Sequence, residues 1–134
     1  FVGFLKQIDV KKQKVVRDYG KISEQIYSIA ITSDDKYLWT SGFDYNGNVK
    51  QFLVSDGQMI KDHGPIFENR GVHSITTTAD NKWLFAGSWE GHLKQICVES
   101  QQVVHDYGKI HADVITCLES TRDSKWLITG SWDK

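Results

Sequence analysis

Leu5-Lys6-Gln7-Ile8 returns along this sequence as Val49-Lys50-Gln51-Phe52 and again as Leu93-Lys94-Gln95-Ile96, each time 44 residues later. Asp18-Tyr19-Gly20 keeps the same spacing, because it returns as Asp62-His63-Gly64 and as Asp106-Tyr107-Gly108. Self-similarity at a fixed period of this length is typical of repeat architectures such as solenoids and propellers. We therefore interpret residues 1–134 as a single repetitive segment, with units at residues 5–48, 49–92 and 93–134.

Each 44-residue unit contains four short apolar runs that are separated by turn residues. In the second unit these runs cover residues 49–54, 58–61, 72–78 and 83–88, and Val, Ile, Thr, Phe and Trp are frequent in them. Such residues favour strands, and Ser55-Asp56-Gly57 predicts a tight hairpin turn between the first two runs. No segment shows the 3.6-residue period of an amphipathic helix. The sequence thus predicts an all-β fold with one four-stranded sheet for each period.

Composition and charge narrow the classes of partner. The chain has 16 basic and 17 acidic residues and a net charge of -1. It therefore has neither the basic stripe that binds nucleic acid nor the polybasic patch that binds an anionic membrane. No apolar run approaches the roughly 20 residues of a membrane-spanning helix. We expect neither nucleic acid nor membrane as a partner. Because the sequence begins with Phe1 instead of Met, we also expect a trimmed or excised piece of a longer chain.

The two cysteines bear on the cellular compartment. Cys97 and Cys117 each lie in an apolar run, which predicts buried, reduced thiols. A single disulfide between them is the alternative, although secreted domains of this size that depend on disulfides usually contain more cysteines. Reduced thiols favour a cytoplasmic location.

Two stretches of the third unit resemble a known family. Residues 111–118 (HADVITCL) and 123–133 (DSKWLITGSWD) are similar to the run of the WD-repeat family from its Gly-His element to its Ser-x-Asp turn. Gly42-Phe43-Asp44 and Ser88-Trp89-Glu90 occupy that last turn in the other units. Four strands per period of about 40 to 45 residues are also typical of a propeller blade. The resemblance implies an antiparallel β-propeller with three blade equivalents. With strands lettered a to d within a blade, the chain starts with strands c and d and ends with strands a and b.

The resemblance also implies a hydrogen-bonded set that fixes each blade, made of a His, a Ser or Thr, an Asp and a Trp of strand c. The matching residues are His111, Ser131 and Asp133 in the third unit, with Ser88, Glu90 and Asp44 in the others. The Trp of strand c is missing, because Ile8, Phe52 and Ile96 occupy its position. Trp132-Asp133 belongs to the turn between strands b and c and is not the dipeptide that names the family.

In the resembled family the top face, which carries the turns between strands b and c, often contacts partners. The residue just before the acidic turn position is Phe43, Trp89 or Trp132 here, and the resemblance implies that these rings bind a protein or peptide. Tyr27 and His73, near the start of strand a, correspond to secondary contact positions. The alternative is that the three rings fill gaps between blades.

Catalytic and metal sites have little support in the sequence. The five histidines fall on different runs, no His or Cys pair has metal-ligand spacing, and no nucleophile lies in a catalytic motif. We therefore expect no enzyme activity, no metal and no cofactor, and we interpret the chain as a protein-interaction scaffold. One alternative is a lectin-like propeller in which Trp89 and Trp132 stack on sugar rings. The other is an enzyme with its site in the central channel.

The lysines of strand c, Lys6, Lys50 and Lys94, recur in an apolar frame. We expect their stems to pack along the strands while the ammonium groups reach water or a channel.

Three blade equivalents cannot close a propeller, which needs at least about four blades. Phe43-Asp44 leads to Val49-Lys50, and Trp89-Glu90 leads to Leu93-Lys94. By the same order Trp132-Asp133 should stand beside Leu5-Lys6. We therefore expect a head-to-tail homo-oligomer, with six blades in a dimer or nine in a trimer, or else completion by the rest of a longer polypeptide.

Overall fold

Antiparallel strands make up all of the regular structure of the described residues. The computed structural model describes residues 2–43, 48–68 and 71–134, and within these ranges it has twelve strands and no helix. The strands are β1 (Gly3–Asp9), β2 (Lys14–Ser23), β3 (Gln25–Ile31), β4 (Tyr37–Phe43), β5 (Asn48–Leu53), β6 (Met59–Pro65), β7 (Val72–Thr77), β8 (Trp83–Ser88), β9 (His92–Cys97), β10 (Val103–Lys109), β11 (Ile115–Ser120) and β12 (Leu127–Ser131). The described residues thus offer no apolar helix of membrane-spanning length.

These strands form two complete blades and two half-blades. β3 to β6 make one four-stranded sheet, the first blade, and β7 to β10 make the second blade. β1 and β2 form the first half-blade, and β11 and β12 form the last half-blade. β1 carries the Lys6-Gln7 motif that β5 and β9 share, so the first half-blade provides strands c and d, and the last one provides strands a and b. The predicted all-β fold, the four-stranded blades and the strand order at both ends are confirmed.

The turn between strands a and b is closed by its own side chains. Thr32 Oγ1 donates a hydrogen bond to Asp34 Oδ1 over 2.6 Å, and the amide of Tyr37 donates to Thr32 Oγ1 over 3.0 Å. The hydrogen bond from Thr32 lowers the pKa of the Asp34 carboxyl. Asp35 has a φ of 58°, in the left-handed region that Asp and Asn tolerate better than most residues. The same turn recurs with Thr78 and Asp80, and with Thr121 and Asp123.

The core lies in three apolar clusters, each of which joins neighbouring blades. In the largest cluster Trp39 and Val49 of the first blade meet Leu84 and Ile96 of the second, and all four side chains are buried. β4 and β8 are buried along almost their whole length, because both of their faces are covered. This explains why these strands are apolar without alternation.

The cysteines are less buried than their apolar surroundings predict. Cys97 is half-buried and Cys117 is exposed, and both thiols are free, so the prediction of two buried thiols was wrong. Cys117 occupies the position at which Ser28 and Ser74 donate hydrogen bonds to carbonyl oxygens of the following blade. No described blade follows the last half-blade, and the Cys117 side chain therefore faces solvent.

Candidate functional site

Three of the predicted contact residues meet where the first blade packs on the second. The rings of Tyr27 and His73 stack with their centroids 5.2 Å apart. Both rings meet the Trp89 indole edge-on, with centroid distances of 5.6 Å for Tyr27 and 4.8 Å for His73. Tyr27 and His73 lie near the starts of β3 and β7, and Trp89 directly follows β8. The packing of neighbouring blades thus brings together side chains that are far apart in the sequence.

Phe43 joins this group through Gly71. A Cβ atom at Gly71 would lie 3.0 Å from the Trp89 ring and 3.1 Å from the Phe43 ring, so a side chain there would force one ring to move. Phe43 is 41% exposed and Trp89 is 37% exposed. Each ring therefore packs on one side and contacts solvent on the other. We call Phe43, Tyr27, His73 and Trp89 the rim cluster.

Trp132 lies apart from the rim cluster. It occupies the position of Trp89 in the last half-blade, and its amide donates to the carbonyl oxygen of Val114 as the Trp89 amide does to that of Gly71. The indole is exposed. Thr116 stands at the position of His73 in the last half-blade, so the described residues place no second ring beside this indole.

His73 provides an unused hydrogen-bonding atom inside the rim cluster. Its Nδ1 is buried and has no hydrogen-bond partner among the described residues. Burial lowers the pKa of His73, while a hydrogen bond with the backbone of Ile115 acts in the opposite direction. The ring donates to the Ile115 carbonyl through Nε2, since Nδ1 has no partner, and in the neutral imidazole Nδ1 is therefore a hydrogen-bond acceptor. Burial also raises the pKa of Tyr27, whose hydroxyl donates to the side chain of Gln25.

The hydrogen-bonded set of the last half-blade contains a residue that the sequence did not single out. His111 Nδ1 lies 2.8 Å from Asp133 Oδ2, and His111 Nε2 lies 2.8 Å from Thr129 Oγ1. Ser131, which the resemblance placed in this set, instead accepts from the Asp133 amide and donates to the carbonyl oxygen of Asp113. The backbone amide of Ala112 and the His111 imidazole lower the pKa of Asp133. The alternation of Thr129, Ser131 and Asp133 was the available signal, because alternate residues of a strand share one face.

Comparison with protein families agrees with this architecture. The model of the WD domain, G-beta repeat (WD40) matches residues 57–96 and 102–134, together more than half of the chain. The chain belongs to the WD40 repeat family. The first match spans β6 to β9 and the second spans β10 to β12, so each begins at strand d of one blade and continues into the next blade. A comparison of the chain with curated proteins found no match. WD40 repeats generally act as scaffolds for protein interactions and are typically not enzymes.

The second blade of this WD40 chain replaces the polar set with an apolar contact. Phe67 occupies the position of His111, and Ala86 occupies that of Thr129. Both residues are buried in the cluster between the first and second blades. Both polar partners of the third unit are thus replaced by apolar side chains in the second blade, so that neither an imidazole nor a hydroxyl is buried there without a partner.

The turn after β8 keeps part of the polar arrangement. Ser88 Oγ accepts hydrogen bonds from the amides of Glu90 and His92, at 3.3 and 3.0 Å. Ser88 therefore fixes the turn that follows Trp89. Asp44, the predicted acidic member of the first unit, lies outside the described residues.

In each complete WD40 blade, a lysine of strand c forms a hydrogen bond to the segment that precedes the blade. Lys50 Nζ donates to the carbonyl oxygen of Ile22, and Lys94 Nζ donates to that of Ile66 over 3.0 Å. Each ammonium group also pairs with an aspartate on strand d of its own blade, at 3.8 Å for Asp62 and 3.7 Å for Asp106.

These contacts differ from the expectation that the lysine heads reach water or a channel. Lys50 and Lys94 are largely buried between blades, and their charge is met by an aspartate and a carbonyl oxygen. Only Lys6, whose side chain is half exposed beside Asp18, matches the expectation. The reason is that the first half-blade has no described blade before it.

The histidines of the described residues belong to no cluster that could hold a metal ion. No three His, Cys, Asp or Glu side chains converge within residues 2–43, 48–68 and 71–134. His63 lies against Trp39 with the ring centroids 5.2 Å apart, and burial lowers its pKa to about 4. This histidine is therefore a neutral packing residue at pH 7.

Proposed function

We propose that this WD40 chain is a non-enzymatic scaffold that binds a protein or peptide through its top face. The surface comprises the rim cluster together with Trp132. The observation that carries the proposal is that the rings of Tyr27, His73 and Trp89 pack on one another, with Phe43 beside them across Gly71, while Phe43 and Trp89 stay partly open to solvent. Pre-packed aromatic rings are frequent anchors at protein interfaces, because they offer a large contact area with little further loss of side-chain entropy.

The rim cluster favours a ligand that places an apolar side chain next to a hydrogen-bonding group. The apolar side chain would pack on Phe43 and Trp89. The polar group would bind His73 Nδ1 once a neighbouring ring has moved aside, because this nitrogen is covered in the free chain. A buried nitrogen without a partner costs about 1–3 kcal/mol, which a hydrogen bond from the ligand would recover. A peptide with an aromatic or aliphatic residue beside a hydroxyl or amide side chain has this combination.

A displayed peptide library selected on the intact chain tests the proposal. We expect the selected peptides to bind the intact chain, and the triple variant Phe43→Ala, Trp89→Ala, Trp132→Ala to lose at least about tenfold in affinity. The control is Ile60→Ala, which removes an exposed apolar side chain from β6, away from the rim cluster.

Circular dichroism and thermal unfolding of the triple variant decide between the two roles of the rings. A folded variant that binds every peptide as the intact chain does would place the site elsewhere. A variant that fails to fold would show that the rings are packing residues. His73→Phe, which keeps a ring but removes Nδ1, should weaken only those peptides that carry the polar group.

Carbohydrate binding is the alternative function. It draws support from the exposed indoles of Trp89 and Trp132, since Trp rings commonly stack on sugars. A glycan array separates the two proposals, because specific glycan binding without any selected peptide would replace the scaffold by a lectin.

We also propose a cytoplasmic location. The free thiols of Cys97 and Cys117 support it, because exposed thiols persist in reducing compartments. Cell fractionation followed by thiol labelling tests this proposal. Recovery of the chain in a secreted fraction with oxidised cysteines would contradict it.

A further inference from the structure

Strand c of the first half-blade exposes an apolar side chain that its counterparts bury. Ile8 is 60% exposed, whereas Phe52 and Ile96 at the same repeat position are 3% and 1% exposed. Phe52 is covered by the first half-blade, and Ile96 is covered by the first blade. Ile8 is exposed because no described blade lies on that side of β1.

The same contrast occurs at strands a and b. Ile29 is 53% exposed, whereas its counterpart Ile75 is 4% exposed in the cluster that contains Trp39 of strand b. Ile128, the counterpart of Trp39, is 62% exposed. A strand b added to the first half-blade would therefore lie against Ile29 of the first blade and cover it. The last half-blade provides such a strand, β12, whose Ile128 side chain is uncovered among the described residues.

We propose that the two half-blades bind each other between two copies of this chain. β12 of one copy pairs with β1 of the other, so that β11, β12, β1 and β2 make one four-stranded blade. Two such junctions close a ring of six blades from two copies. This number lies within the usual range of about four to eight blades, whereas three copies would give nine. The inference does not depend on the proposed top-face site.

The complete blades determine the register of the junction. Strands b and c pair Leu38 with Phe52 in the first blade and Leu84 with Ile96 in the second. The corresponding pair across the junction is Leu127 of one copy with Ile8 of the other. In the same register Ile128 stands opposite Gln7, and Thr129 stands opposite Lys6.

The lysine contacts between blades extend to the junction. The carbonyl groups of Ile22 and Ile66 lie 28 residues before the lysines that bind them. Ile110 is the next carbonyl in this series, and Lys6 of a second copy is the corresponding lysine. Within one copy Lys6 pairs with Asp18 at 3.5 Å but binds no carbonyl of a preceding blade among the described residues.

A glutamine pair between the first and second blades has counterparts at the junction. Gln101 Nε2 donates to Gln51 Oε1 of the preceding blade over 2.8 Å. The counterparts are Gln13 of one copy, which shares the positive φ of Gln101, and Gln95 of the other. Gln95 lines a cavity of about 420 Å³ beside β12, together with Phe85, Leu93 and Tyr107. Ile8 of the second copy enters this cavity in the proposed register.

A second copy is the occupant that supplies all of these groups at once. One half-blade provides Ile8, Lys6 and Gln13, and the surface beside the other provides the cavity with Phe85 and Leu93 in its wall, the Ile110 carbonyl and Gln95. The lysine contact and the strand register follow both internal interfaces, and the glutamine pair follows the one between the first and second blades. The proposal therefore needs no contact that the chain does not already form within itself.

Sedimentation velocity of the 134-residue chain at tens of micromolar tests the association. We expect the mass of two copies. Ile8→Asp should shift the chain to a single copy, because a charge would be buried at the position of an apolar side chain. Ile60→Asp is the matched control, since Ile60 is an exposed isoleucine on β6 of a blade with neighbours on both sides. It should leave the mass unchanged.

Disulfide trapping tests the register. In a background with Cys97→Ser and Cys117→Ser, a mixture of the Gln7→Cys chain and the Ile128→Cys chain should give a cross-linked pair on oxidation. Replacing Gln7→Cys by Asp9→Cys moves the thiol two residues along the same face of β1, out of reach of a direct partner, and should reduce the yield severalfold.

The outcomes separate the proposal from its competitors. A folded, monodisperse single copy overturns it, as does equal cross-linking of the two cysteine pairs. A chain that does not fold alone also overturns it, because blades of a different sequence must then complete the half-blades. If the mass is that of three copies and the expected cross-link forms, the junction is correct but the ring has nine blades instead of six. If Ile8→Asp aggregates, the cross-linking result decides.

Discussion

Lys94 Nζ lies 3.0 Å from the carbonyl oxygen of Ile66, across the boundary between the two complete blades. The Phe67 ring lies 5.1 Å from the same ammonium group, and Asp106 lies 3.7 Å from it. A carbonyl, an aromatic face and a carboxylate thus share one largely buried charge. The contact joins strand c of one blade to the end of the preceding blade.

Removal of this charge should destabilise the chain. We expect Lys94→Met to lower the free energy of unfolding by about 1–3 kcal/mol, because the stem is kept while a hydrogen bond from a charged donor is lost. Urea unfolding at one fixed protein concentration measures it, since association also contributes to stability. Lys82→Met, at an exposed turn position, is the control and should change the value by less than about 0.5 kcal/mol. Equal effects of the two variants would contradict this role.

Phe67 and Ala86 of the second blade stand at the repeat positions of His111 and Thr129, so we expect the stability effects of mutations at these two positions to be coupled. Phe67→His alone should cost about 3 kcal/mol, because it leaves a cavity and an imidazole without a hydroxyl partner. Ala86→Thr alone should overpack the cluster and cost about 1–3 kcal/mol. The loss in the double variant should be smaller than the sum of the two single-variant losses in the free energy of unfolding by at least about 1 kcal/mol. Urea unfolding of all four chains gives the coupling, and strict additivity would show that the two positions are independent.

Two glycines with similar backbone angles should respond differently to alanine. Gly91 has a φ of 82°, and a Cβ atom there would lie 2.1 Å from the carbonyl oxygen of His111. Gly108 has a φ of 68°, but no atom lies within 4 Å of its Cβ position. We expect Gly108→Ala to cost about 1 kcal/mol from backbone strain and Gly91→Ala to cost at least about 3 kcal/mol. Thermal unfolding of the two variants compares them, and a similar loss in both would contradict the steric account.

His63 should make the fold sensitive to mild acid. Burial, and then the nearby Lys61, lower its pKa to about 4, while the unfolded chain has the ordinary value near 6.5. The unfolded chain therefore binds more protons in this window, and stability is lost as the pH falls from about 6.5 to about 4. We expect this loss to be about 1–2 kcal/mol after allowance for the partial exposure of the ring.

His63→Gln should remove this part of the pH dependence, as measured by urea unfolding between pH 7 and pH 4. The matched control is His105→Gln, at an exposed position on β10. A pH profile that His63→Gln leaves unchanged would assign the dependence to other groups.

The 44-residue repeat was enough to predict the blades, because a strand order that recurs three times has few other solutions. It also placed Tyr27, His73 and Trp89 at related positions, and the packing of β3 on β7 brings their rings together. The resemblance assigned Ser131 as the hydroxyl partner of His111, whereas the structure places Thr129 there, and Thr129 and Ser131 lie on the same face of one strand. The distance to the imidazole decides between them.

The errors of the sequence analysis share one physical cause. Burial of Cys117 and exposure of Lys50 and Lys94 were predicted from the residues around them. In a propeller, the accessibility of a side chain depends on the next blade, which lies about forty residues away along the chain. Cys117 lacks that cover and is exposed, whereas the two lysines have it and are buried.

The hydrogen bonds that Thr32, Thr78 and Thr121 make in their turns join residues no more than five positions apart. Each hairpin of strands a and b can therefore form before the blades stack, since contacts that are local in sequence close at low entropic cost. The stacking of blades then proceeds by nearest neighbours, as in other repeat proteins. In a single copy, loss of structure should run in the opposite direction, with fraying that begins at β1–β2 and β11–β12, because each of these hairpins packs against one neighbouring blade among the described residues.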